Sequence, residues 1–96
     1  MKIIVVAHRS ETHSAEEIAK HLPAEAKKAL QMFAADVVRE IYSREDGKGA
    51  VLVMEAENED AARAELAALP LAQQGMISFD IYPVKPYRGI VAASEA

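Results

Sequence analysis

The chain has 96 residues, 51% of them hydrophobic, and a formal charge of −4 from 11 basic and 15 acidic side chains. That length allows one domain, 1–96 with 85–96 as a C-terminal tail, and 19 of the apolar residues are alanines, so bulk for a private core is scarce. The absence of cysteine excludes disulfides, thiolate metal sites and cysteine nucleophiles. Lys27-Lys28 is too small a basic patch for nucleic acid to be an expected partner.

Residues 2–8, Lys-Ile-Ile-Val-Val-Ala-His, are β-branched and apolar on both parities, which predicts a strand buried on both faces. The apolar run is too short for a signal-peptide core or a membrane span, so a cytoplasmic protein with no membrane partner is expected. After a polar loop, Ser14-Ala-Glu-Glu17 has the form of a capping box. Apolar residues at 18, 22, 26, 29, 30, 33 and 37 then trace one helix face. Pro23 interrupts that stripe. It predicts a short turn over 14–21 and a main helix over 23–35, with Pro23 in the first position. Phe33 and, further on, Met54 are expected in the core.

Residues 37–44 suit an edge strand, because charges interrupt both of its faces. Glu45-Asp-Gly-Lys-Gly49 is a turn. Residues 50–57 form a second strand with two apolar faces. Asn58 is suited to cap a helix striped by Ala62, Leu66 and Leu69, with Leu71 to Gly75 as a connection. Residues 76–84 alternate, with Ile77, Phe79 and Ile81 against Met76, Ser78, Asp80 and Tyr82, and Pro83 marks an edge. No internal repeat stands out.

The order β-α-β-β-α-β, with central features in strands one and three, predicts an α+β fold. It is the ferredoxin-like antiparallel sheet of order 4-1-3-2. Two helices cover one face of such a sheet. The other keeps its apolar side chains, and a second copy in a homodimer or higher homo-oligomer is the expected cover.

Polar candidates are few. His8 ends the first strand, and an imidazole with a reference pKa near ~6.5 suits proton transfer. His8, His13 and His21 match no common ligand spacing, so no metal site is expected. Pairing strands one and four sets Ile77 opposite His8. Asp80 is then about 10 Å away at ~3.3 Å per residue, beyond a direct hydrogen bond.

The segments Ala68-Leu69-Pro70-Leu71, Gly75-Met76, Ile77 to Val84 and Lys85-Pro86-Tyr87 resemble two related families. The Leu-Pro-Leu step is similar to muconolactone isomerases. Gly75 and the exit Val84-Lys85-Pro86-Tyr87 are similar to YCII-related proteins. The resemblance implies a dimeric α+β barrel with its ligand pocket between sheet and main helix. It implies Glu25 where isomerase helices carry an acid and where YCII-related proteins carry a histidine. It also implies Arg39 as an arginine that holds a substrate carboxylate and Tyr42 as an aromatic of the substrate site.

The resulting expectation is a cofactor-independent, muconolactone isomerase-like enzyme. It would act on a small lactone or enol-type carboxylic acid, with His8 or Glu25 moving the proton. The alternative is a non-catalytic small-ligand-binding or accessory protein of YCII-related type. A cofactor-free monooxygenase is a third reading, with few of the aromatic and amide groups such enzymes use.

Overall fold

Val and Ile dominate the first strand and crowd its backbone out of the helical region, so β1 (Lys2–Arg9) forms where alternation is weakest and burial greatest. A computed structural model describes residues 1–95. Beyond β1 the chain runs α1 (Ala15–Ala19), α2 (Leu22–Ala34), β2 (Val38–Ser43), β3 (Gly49–Glu55), α3 (Glu59–Ala67), α4 (Pro70–Gln73), β4 (Ile77–Pro83) and α5 (Arg88–Glu95). The four strands form one antiparallel sheet in the order β2-β3-β1-β4, the order 4-1-3-2 expected of the ferredoxin-like fold.

The caps behave as their side chains dictate. Ser14 Oγ accepts from the Glu17 amide at 3.1 Å while Glu17 reaches back to the Ser14 amide. Asn58 Oδ1 accepts from the Ala61 amide at 2.8 Å. Pro23 stands in the second position of α2, after Leu22, where its missing N–H costs nothing. The stretch after Pro70, expected as a connection, closes one short helix, and the expected tail holds α5, which buries no side chain.

Helices α2, α3 and α4 lie on one face of the sheet. Ile3, Val5, Ala7, Leu52 and Met54 point into that layer and meet Met32, Ala62, Leu66 and Leu69. Phe33, expected in the core, is instead 51% exposed on the far flank of α2, and Met54 is fully buried as expected. The opposite face carries Ile4, Val6, Val51 and Val53, all half-buried with no helix above them.

One irregularity redirects β2. Val38 pairs with Met54 and Glu40 with Val53, so Arg39 is an extra residue in a β-bulge. The bulge reverses parity. Val38 enters the core, and beyond Arg39 it is Ile41 and Ser43 that share the helix-side face with their partners Leu52 and Ala50.

Gly49 is the tightest position in the sheet. Its φ is 154°, and a Cβ there would collide with the carbonyl of Ala7. Glycine alone lets β3 begin that close to β1.

Candidate active site beneath the main helix

A cavity of about 270 Å³ lies between α2 and the sheet. Its walls are mostly apolar, among them Leu22, Ala29, Met32, Leu52, Leu69 and Phe79. A dry cavity of about 150 Å³ already admits benzene, so this one has room for a single-ring molecule. Three polar side chains line it: Glu25, Arg9 and Ser43.

Glu25 projects from the first turn of α2 and is half-buried. Its Oε1 accepts from the Leu71 amide at 3.0 Å. Burial pushes the carboxyl above its ordinary 4.5, and the Leu71 hydrogen bond opposes part of that rise. A carboxylate held by one oxygen in an apolar wall is a stronger base than one in water, with its second oxygen free to take a proton.

Arg9 ends β1 on the helix side, in line with Val5 and Ala7, and its guanidinium makes no ion pair among the described residues. Its backbone is fixed by the bonds Arg9 N to Lys48 O at 2.8 Å and Ser10 N to Met76 O at 2.9 Å. Arg9 and Ser43 were invisible as site residues in the sequence. The strand runs one residue past the apolar stretch, and the bulge at Arg39 decides which way Ser43 faces.

The other candidates fall elsewhere. His8 is on the uncovered face of β1, so the sheet separates it from Glu25. Its Nε2 lies 2.8 Å from Asp80 Oδ2, correcting the expectation that Asp80 is out of reach. The register pairs His8 with Ser78 rather than Ile77. Asp80, partner of Val6, is thereby a same-face diagonal neighbour within side-chain reach.

Arg44 Nη1 stands 2.9 Å from His8 Nδ1. A guanidinium only donates, so Nδ1 must accept, and the ring proton sits on Nε2 facing Asp80. Both nitrogens of His8 are therefore engaged. Asp46 secures the other end of Arg44, and the Lys48 amide first, with Arg44 behind it, holds the Asp46 carboxyl below its usual range.

Arg39 is exposed on the bulge, where its Nε donates to the Asp36 carbonyl at 3.0 Å. That carbonyl belongs to the turn closing α2, in which Asp36 takes φ of 61°. Arg39 thus ties the helix exit to the strand and does not line the cavity. Tyr42 is also outside it, on the uncovered face at the β2 edge. Its hydroxyl donates to Glu40, which holds the phenol above its usual range. Among the described residues there is no group of three or more His, Asp or Glu placed to hold a metal ion, and no helix is long and apolar enough to cross a membrane.

No family model matches the chain, and no curated protein matches it by sequence. Solved structures do. It is similar to the 5-chloro-2-hydroxyhydroquinone dehydrochlorinase from Burkholderia phenoliruptrix, in complex with 2,5-dihydroxybenzoquinone. The TM-score is 0.72 at 15% identity, over 93% of this chain and 98% of that one. It is also similar to a protein described as an antibiotic biosynthesis monooxygenase from Deinococcus radiodurans. There the TM-score is 0.53 at 16% identity, over 91% of this chain and 95% of that one. At such identities these likenesses show the ferredoxin-like fold alone.

Proposed function

We propose that the chain is a small enzyme that moves a proton on a single-ring, enolisable carboxylic acid or lactone, in the manner of muconolactone isomerases. The observation that carries this reading is Glu25, a half-buried carboxyl with a raised pKa set into an otherwise apolar cavity. Its free oxygen takes the proton next to the substrate carbonyl. The electron pair moves into an enolate, and the same carboxyl returns the proton at the conjugated carbon. Arg9 at the cavity wall binds the substrate's own carboxylate and steadies the developing charge. Carboxyl and guanidinium suffice for that step, so the reading names no cofactor. His8, across the sheet, has no part in it, and Arg9 takes the anion-holding role first expected of Arg39. The ring-sized ligand in the dehydrochlorinase structure suits a cavity of these dimensions.

The test is solvent-deuterium exchange into muconolactone. Wild-type protein should catalyse it and Glu25→Gln should lose about 10²–10⁴-fold, the usual worth of one placed proton carrier. Unchanged exchange in that variant would overturn the assignment.

The apolar walls favour a second reading, a non-catalytic small-ligand binder of YCII-related type. Binding of 2,5-dihydroxybenzoquinone to wild type with no exchange on any enolisable lactone would select it. In either reading we propose a homodimer, with the uncovered sheet face turned to a second copy.

A further inference from the structure

The uncovered face carries a pattern with its own symmetry. Both edge strands contain acid-Ile-Tyr, Glu40-Ile41-Tyr42 on β2 and Asp80-Ile81-Tyr82 on β4. The isoleucines turn toward the helix side, and the acids and tyrosines turn outward. The register aligns these residues in two rows, Tyr42-Val51-Val6-Asp80 and Glu40-Val53-Ile4-Tyr82. Four aliphatic side chains thus form a central square. The two tyrosines, 55% and 53% exposed, occupy opposite corners and the two carboxylates the others. Beyond the second row Lys2 pairs with Glu55.

A half-turn about an axis parallel to the strands exchanges β2 with β4 and β3 with β1. Tyrosine then falls on carboxylate at every corner, lysine falls on glutamate, and aliphatic falls on aliphatic. A half-turn about an axis across the strands also sets phenol on carboxylate, Tyr42 on Glu40 of the partner subunit and Tyr82 on Asp80 of the partner subunit. It sets Lys2 against His8 of the partner subunit, however, and gains no ion pair, so the Lys2–Glu55 match selects the first axis. A second copy of this chain is the one partner certain to carry the complement. Aligned sheets keep their strands within about 30°, which preserves this row-on-row match.

We infer that two copies pack sheet to sheet about a two-fold axis parallel to the strands, with Tyr42 on Asp80 of the partner subunit, Tyr82 on Glu40 of the partner subunit and Lys2 on Glu55 of the partner subunit. The phenols donate to carboxylates at the rim of the square, Tyr42 exchanging Glu40 of its own chain for Asp80 of the partner subunit and leaving Glu40 to the partner subunit's Tyr82. There the carboxylates keep part of their water, so the bond is gained without full desolvation. This deepens the homodimer reading and rests on it.

Residue exchange along one strand tests the register without changing composition. Glu40→Tyr with Tyr42→Glu, on β2 alone, sets acid on acid and phenol on phenol. Sedimentation equilibrium should show the dimer dissociation constant raised at least ~100-fold, the effect of several lost charge-assisted hydrogen bonds. Adding Asp80→Tyr with Tyr82→Asp restores every match and should restore the dimer, with circular dichroism showing both variants folded. A half-exchanged chain as dimeric as wild type, or a fully exchanged chain that stays monomeric, would overturn the register and leave the homodimer standing. Monomeric wild-type protein at micromolar concentration would overturn both.

Discussion

His8 and Asp80 meet at 2.8 Å across β1 and β4, although neither is the other's direct partner in the ladder. With Arg44 donating to Nδ1, the ring is locked as the Nε2–H form. Nitrogen-15 shifts of the neutral imidazole should therefore show a bare Nδ1 and a protonated Nε2. Arg44→Leu removes the donor and should let the two neutral forms mix, whereas Lys48→Ala, whose side chain makes no hydrogen bond or ion pair in the cluster, should not. An Nδ1–H ring in the wild-type protein would contradict the arrangement.

Glu25 gives the protein a pH dependence of definite sign. Its folded-state pKa lies above the ordinary 4.5, so the folded state favours the protonated carboxyl. Below the unfolded value both states are protonated and nothing is lost. As pH rises from there through the higher folded value, ionisation favours unfolding. Glu25→Gln keeps an oxygen for the Leu71 amide and lacks the charge. Its melting temperature should match wild type in acid and exceed it at neutral pH. A wild type that gains on the variant as pH rises would reverse the sign.

What could be read in the sequence was what depends on neighbours along the chain. Ser14 and Asn58 announce their caps by residue type, and the two-faced runs of β1 and β3 announce the centre of the sheet. What could not be read depends on a count of one. An extra residue at Arg39 leaves composition unchanged yet decides that Val38 is core and that Ser43 shares the cavity side. A register step of one residue brings Asp80 to His8. Phe33 belongs to the helical stripe by spacing, but α2 meets the sheet through its alanines and Met32, and Phe33 stays outside.

The two glycines around the β2–β3 turn should respond very differently to alanine. At Gly47, φ is 73° with open space around it, so Gly47→Ala should cost only the left-handed penalty of about 1–2 kcal/mol. At Gly49 the added methyl meets the Ala7 carbonyl. Gly49→Ala should therefore cost more than the ~1–3 kcal/mol of backbone strain alone and part β3 from β1 at the cavity. Chemical denaturation of both variants checks the order, and equal losses would contradict the close approach.

Arg9 and Arg39 should separate cleanly as ligand-holding and structural arginines. Arg9→Gln removes the guanidinium at the cavity, so calorimetric affinity for benzoate, a single-ring carboxylate probe, should fall about tenfold or more, as charged hydrogen bonds are lost. Affinity for benzamide, of the same shape and no charge, should hardly move. Arg39→Gln should leave both affinities alone and lower stability by about 1 kcal/mol, because it loses only the Asp36 carbonyl at the exit of α2. A benzoate loss in the Arg39 variant and none in the Arg9 variant would return the anion site to the bulge.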